Sequence, residues 1–311
     1  MGKKRNKKTC SSEGKPKSKS RTPPTPPPAP AELRNWLDLP RDVTALILSR
    51  LGAVEIAPAE LRNWLDLPRD VTASILSRLG AVEILKSAEL VCVAWRNICK
   101  DPLTWRTIDM SNNRGFNLWA SDLDKMCRRA VDRSCGNLVD INIQHKCTDD
   151  LLKYITDSSK GIKRLQLDNC FNITNEGLSE VASKLPLLEE LEISNSLLSH
   201  EPALQVVGAS CPRLKSFKFN HHWRYSWDWR ESNDDALAIA ATMHDLHHLQ
   251  LRGNKLTNDG LQAILDGCPH LESLDLRECF HLKLGGELGR RCAERIKKLQ
   301  LPHEPISKDE S

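Results

Sequence analysis

The chain has 311 residues, enough for one large domain or two ordinary ones, and 40% of them are hydrophobic. Its net charge of +4 comes from one end: residues 1–22 hold nine Lys or Arg against one Glu, which is +8, so the rest sums to −4. That balance argues against a basic body built to grip nucleic acid, and the absence of a secretory signal or of an apolar run near 18 residues argues against export and membrane crossing.

Residues 1–30 are basic and proline-rich and carry almost no large apolar side chain, so they are expected to form a disordered tail. The run KKRNKK within it is either a nuclear-import signal or a loose polyanion contact, and a nuclear or cytoplasmic location, or both, is expected. The segment APAELRNWLDLPRDVTALILSRLGAVEI, residues 29–56, then recurs at 57–84 with one change, Leu46 against Ser74. Copies this alike carry no trace of separate adaptation, so the first, spanning 31–57, is read as a partial duplicate that contributes little to binding.

Residues 63–110 predict three short helical pieces. Pro68 suits a first helical position and Asp70 the first turn, where a carboxylate meets unsatisfied N–H groups. Val71, Ile75, Leu76 and Leu79 form an apolar stripe, and Gly80 is expected to end that helix in a left-handed turn. A second helix presents Val91, Ala94, Trp95 and Ile98, and Asp101-Pro102 stops it. So small a unit is not expected to cover all its own apolar surface, which points to a partner.

The pattern LPxDVxxxILSRL followed by VCxxWRxxxxDPxxW resembles the F-box, most closely that of plant-type F-box/leucine-rich-repeat proteins, substrate receptors of SCF ubiquitin ligases. The resemblance implies docking onto a Skp-type adaptor, and through it onto cullin and RING subunits. By the same resemblance the adaptor contacts are Leu67, Pro68, Ile75, Leu76, Leu79, Leu85, Val91, Cys92 and Trp95. Leu76, Val91 and Trp95 have an alternative role as core residues holding the helices together. Trp105 is read as a plug between the F-box and the first repeat.

From residue 111 to 303 a second, degenerate repeat governs the chain, with a flexible end at 304–311. The pattern L-x-x-L-x-L, allowing Ile, Val or Phe, starts at Leu138, Ile162, Leu188, Leu214, Leu246, Leu271 and Ile296. Each interval fits a period-two strand followed by an apolar helix, and neither element can bury its own face, so the units must stack. WRTIDM at 105–110 is a candidate irregular first unit. LQLDNC, LDLREC, SCPRL and GCPHL resemble the cysteine-containing leucine-rich repeats of F-box proteins. The expected fold class is α/β: a small three-helix F-box, then a leucine-rich-repeat solenoid with parallel strands inside and helices outside.

Outward strand residues, among them Arg164, Lys218, Arg252 and Arg277, are candidate contacts for a protein substrate on the concave face, or else a solvated surface. The longest interval, 32 residues, holds HHWRYSWDWR at 221–230. Trp223, Tyr225, Trp227 and Trp229 either hold a substrate, since Trp and Tyr dominate interface energetics, or pack down as a local cap. No nucleophile elbow, phosphate loop, dinucleotide fingerprint or H-E-x-x-H helix is present. The eleven cysteines include no C-x-x-C, so no metal, cofactor or catalytic residue is expected. The expected role is that of a non-catalytic receptor, with a repeat scaffold serving no ligase as the alternative.

Overall fold

The computed structural model describes residues 68–111, 120–196, 201–221 and 230–305. The basic tail, the first copy of the duplicated block, Leu67 and the aromatic residues Trp223, Tyr225, Trp227 and Trp229 lie outside the described residues.

Helical pieces come first: α1 (Arg69–Leu76), α2 (Ala81–Glu83), a π-helical turn (Ile84–Ala88), α3 (Glu89–Val91), α4 (Val93–Ile98) and a 3₁₀ turn (Pro102–Trp105). Strands and helices then alternate as β1 (Thr107–Asp109), α5 (Ala120–Ser134), β2 (Asp140–Gln144), α6 (Asp149–Ser158), β3 (Arg164–Asp168), α7 (Asn175–Ala182) and β4 (Glu190–Ser194). The series continues with α8 (Glu201–Ser210), β5 (Ser216–Asn220), α9 (Asp234–Thr242), β6 (His248–Gln250), α10 (Asn258–Gly267), β7 (Ser273–Asp275), α11 (Gly286–Arg295) and β8 (Lys298–Gln300). All eight strands lie in one parallel sheet in chain order, each paired with the next. WRTIDM supplies β1, which pairs with β2 through Ile108 and Ile141, so it is the first unit of the solenoid.

The register explains the pattern. Leu165 pairs with Leu191, Leu191 with Phe217, Phe217 with Leu249 and Leu249 with Leu274, so one apolar column runs through the sheet. The first residue of each motif, from Leu138 to Ile296, is buried beside that column. Only at β8 does the rule lapse among the described residues, with Leu299 half-buried and Leu301 exposed.

Five strands, β2, β3, β4, β6 and β7, leave the sheet through a tight turn. His145, Asn169, Asn195, Gly253 and Glu278 have φ between 53° and 68°. Their N–H groups donate to Asp168, Ser194, Asn220, Arg277 and Pro302 in the next repeat, which carries the ladder one step beyond the strands. Asn adopts this left-handed geometry at modest cost. Position 253 leaves no choice, because a Cβ there would run into the carbonyl oxygen of His221.

The cysteines fasten these turns. Cys170 Sγ donates to Ile143 O at 3.6 Å, Cys211 Sγ to Ala182 O at 3.7 Å and Cys279 Sγ to Leu251 O at 2.9 Å, each reaching the preceding repeat. Burial pushes the Cys279 thiol up to about 12 and those of Cys211 and Cys268 to about 11, so all three are neutral packing residues at physiological pH.

Gly253→Ala is expected to destabilise the chain by about 2 kcal/mol or more, combining backbone strain with a carbonyl clash. Gly285→Ala, where an added Cβ meets nothing within 4 Å and φ is −108°, serves as the near-neutral control. Urea denaturation of both variants measures the difference.

Candidate functional site: a helical region with an uncovered apolar surface

Helix α1 begins one residue later than the sequence pattern suggests. Pro68 sits at the N-cap with φ −54° and ψ 145°, and its carbonyl accepts from the Thr72 N–H at 3.0 Å and the Thr72 hydroxyl at 3.2 Å. The expected left-handed stop at Gly80 is not what forms. Leu79 N–H closes on Leu76 O at 3.0 Å, so the helix has already turned, and Gly80 is extended, at φ −69° and ψ 163°, as the N-cap of α2. Its missing side chain still matters, since a Cβ there would stand 2.7 Å from the Glu83 carboxylate.

A second departure is the break at Cys92. Its backbone is extended, at φ −157° and ψ 172°, and its sulfur accepts from the Trp95 N–H at 3.4 Å, so the Cys side chain caps α4. Val91 and Trp95, expected on one helix, therefore belong to two.

The break sorts the residues assigned to an adaptor. Leu76, Leu79, Leu85 and Trp95 are buried, with Trp95 only 3% exposed, and they join Val82, Ile98 and Cys99 in the core. Buried there, they pack within the helical region, the place that the alternative core role gives to Leu76 and Trp95. Ile75, Val91 and Cys92 are partly buried at its margin, and Pro68 is exposed.

The open apolar side chains are different ones. Leu90 is 66% exposed, Val93 63% and Leu103 66%, and Val71 is also exposed. Leu90 and Val93 flank the Cys92 break, which the sequence pattern does not betray. An ion pair of 3.1 Å between Arg69 and Asp101 holds the start of α1 beside the 3₁₀ turn that carries Leu103. Fully covering a Val or Leu is worth roughly 1.5–3 kcal/mol. Four such residues, already partly shielded, reach only the lower part of the roughly 4–15 kcal/mol cost of fixing two proteins together. A partner must add polar contacts.

The helical region is clamped to the repeats. Trp105 is fully buried, as a plug would be, and donates from Nε1 to Cys99 O at 2.7 Å. Arg133 of α5 lies over its ring at 5.4 Å. Glu89 of α3 is buried too, and its carboxylate accepts from Arg129 at 3.0 Å and from Arg133. Two cations on the first repeat helix thus neutralise one buried acid from the helical region.

On the concave face the candidate contacts are largely occupied. Arg164 pairs with Asp140 at 2.9 Å, Lys218 with Glu192 at 3.0 Å and Arg252 with Asp275 at 2.8 Å. Asp140 holds the Arg164 guanidinium above its usual pKa range, through a hydrogen bond first and charge second. Arg277 is 2% exposed and donates to Asp275 from both Nε and Nη2, so it is a buried strut and not an open substrate contact. Asp168 gathers the amides of Gln144, Asn169 and Asn195 at 2.8–3.1 Å. Sign differs along the sheet: strands β2 to β4 present Asp140, Asp168, Glu190 and Glu192 with Arg164, whereas Lys218 stands on β5, Arg252 two residues beyond β6 and Lys298 on β8, and Arg277 and Asp275 are buried. Among the described residues no group of three or more His, Cys, Asp or Glu is placed to hold a metal.

Trp95→Ala is expected to cost about 3–5 kcal/mol by opening a core cavity, while Val93→Ala stays within about 0.5 kcal/mol of the parent chain. Thermal unfolding of the two variants separates the core residue from the surface one.

Residues 64–111 match the F-box-like family, and residues 242–265 match the Leucine Rich repeat family. Three proteins of Arabidopsis thaliana are close relatives. F-box/LRR-repeat protein 23 is 51% identical over 88% of this chain, F-box protein SKIP19 is 49% identical over 88%, and F-box/LRR-repeat protein 21 is 47% identical over 87%. The chain spans about half (54%) of the first, 80% of the second and 83% of the third. A helical F-box followed by a parallel repeat sheet, shared at this identity over most of the chain, places it in the F-box/leucine-rich-repeat protein family.

Proposed function

We propose that this chain is the substrate-recognition subunit of an SCF-type E3 ubiquitin ligase. The observation that carries the proposal is the set of uncovered apolar residues, Val71, Leu90, Val93 and Leu103, on a helical region matching the F-box-like family. A Skp-type adaptor covers them and links the chain to cullin and RING subunits. Leu67 and Pro68 are further contacts, Pro68 at the N-cap of α1, with Ile75, Val91 and Cys92 at the margin.

The repeats then hold a protein substrate. Arg164, Lys218 and Arg252 stand on the concave face, whose acidic strands β2 to β4 adjoin the F-box and whose basic side chains, Lys218, Arg252 and Lys298, come from β5 onward. Such a surface favours a partner with the opposite gradient, because complementary fields speed encounter and fix orientation. The segment with Trp223, Tyr225, Trp227 and Trp229 supplies the aromatic anchors. In this role the chain performs no chemistry. It raises the effective concentration of a substrate lysine near a loaded conjugating enzyme, and the complex works in the nucleus, the cytoplasm or both.

The test is co-purification of the full chain with adaptor and cullin. Leu67→Ala with Pro68→Ala is expected to weaken adaptor binding by roughly 2 kcal/mol or more, and Val93→Asp by a similar amount, with unfolding temperatures unchanged. Substrates captured by the repeats accumulate in cells expressing either variant. Capture of substrates without adaptor or cullin, by parent and variants alike, supports a repeat scaffold outside the ligase.

A further inference from the structure

On the concave face, acids are neutralised across strands. Asp140 pairs with Arg164 at 2.9 Å, Glu192 with Lys218 at 3.0 Å and Asp275 with Arg252 at 2.8 Å, while Glu190 lies 3.9 Å from Arg164. Asp168 is different. Among the described residues it makes no ion pair, and neutral amides hold it instead. Gln144 Nε2 and Asn169 Nδ2 both donate to its Oδ2 at 2.8 Å, and Asn195 Nδ2 donates to its Oδ1 at 3.1 Å. Asn169 and Asn195 stand in the left-handed turns beyond β3 and β4, at φ 54° and 53°. Amide donors orient a carboxylate and leave its charge in place.

The same hydrogen bonds limit what can complete the site. Each carboxylate oxygen accepts about two hydrogen bonds. Oδ2 is therefore full, and Oδ1 has one acceptor site left. A guanidinium fork needs both oxygens at once, so a compact ammonium fits where a bidentate arginine does not. Two more open groups stand beside it. Strands β2 and β3 alternate buried and less buried residues, so Asn142, Gln166 and Asp168 share the concave face, and Asn142 is the register partner of Gln166. Neither of their side chains makes a hydrogen bond to another described residue. A carboxamide can donate to a main-chain carbonyl and accept from a main-chain N–H. Gln166 lies two residues from Asp168, roughly 6.6 Å along the strand, which is also the two-residue repeat of an extended polypeptide.

We propose that Asp168 is a specificity-determining residue that takes a lysine of an extended polypeptide, whose main chain lies on the carboxamides of Asn142 and Gln166. The inference rests on the receptor reading only in calling that polypeptide the substrate. A cationic segment also matches the surplus of acids on β2 to β4, which repels the phosphates of a nucleic acid. A lysine held on Asp168 is withheld from ubiquitin transfer, so the acceptor lysine lies elsewhere in the substrate.

The experiment selects from a random seven-residue peptide library displayed on phage, with the full chain immobilised. The parent is expected to enrich lysine at one position about tenfold or more over glutamine and arginine. Asp168→Asn loses that enrichment, whereas Glu176→Gln, which removes one charge from helix α7, keeps it. A selected peptide is then labelled with fluorescein and titrated by anisotropy. Changing its lysine to glutamine and changing Asp168→Asn in the chain each weaken binding about tenfold, and the two together cost no more than either alone. Asn142→Ala with Gln166→Ala weakens the lysine and glutamine peptides equally. The peptide change tests the pairing even where Asp168→Asn unfolds. No positional lysine preference, a preference for arginine, or additive losses overturn the proposal. Adaptor binding is measured on the same preparations. A chain that binds the adaptor without preferring lysine refutes this site alone, and one that selects lysine but binds no adaptor refutes the ligase reading alone.

Discussion

A strand with leucine at alternate positions and a helix with one apolar stripe cannot bury themselves within a unit of about 25 residues, and most of this architecture follows from that constraint. Each repeat is completed by its neighbour, through the Leu165–Leu191–Phe217 column and through turns whose N–H groups and thiols reach into the adjacent repeat. The two ends of such an array must be treated differently. At the far end Leu301 is left exposed. At the near end Trp105, Glu89 and the helical region do for β1 and α5 what another repeat would have done.

That near end is also where charge is buried. Taking a carboxylate out of water costs several kcal/mol, and a buried pair with one partner removed loses about 3–5 kcal/mol, so Glu89 is tolerable only with Arg129 and Arg133 in place. Such a clasp adds little net stability over apolar packing of the same volume. Its physical consequence is orientation: helix α3 is held to α5 by directional bonds, and the surface carrying Leu90 and Val93 keeps a defined relation to the sheet.

The repeat array was legible in the sequence because period-two leucines admit one register, and a slip of one residue would turn them all to solvent. The cysteines at the turns were legible for the same reason, as each sits at a fixed distance from a strand. The helical region was legible as a kind of unit and much less so in its faces. Its break at Cys92 depends on a thiol accepting a backbone N–H, and no glycine or proline announces it. With the break unseen, Val91 and Trp95 fell on one helix, and Leu90 and Val93 passed unnoticed as surface. The burial of Arg277 and the pairing of Glu89 with arginines 40 and 44 residues away depend on contacts distant in sequence, which local spacing does not encode.

Exposed apolar side chains are found on the repeats as well, at Phe171, Leu237, Phe280 and Leu301, but Val71, Leu90, Val93 and Leu103 fall within one short helical region, and the proposed role depends on a second polypeptide covering them. Calorimetric titration of the full chain with a Skp-type adaptor at several temperatures tests this most directly, because buried apolar surface gives binding a negative heat-capacity change. The account predicts one-to-one binding whose heat capacity falls clearly below zero, and a smaller change for a chain carrying Leu90→Ser and Val93→Ser. No binding, or binding with a heat-capacity change near zero in the parent chain, would contradict it.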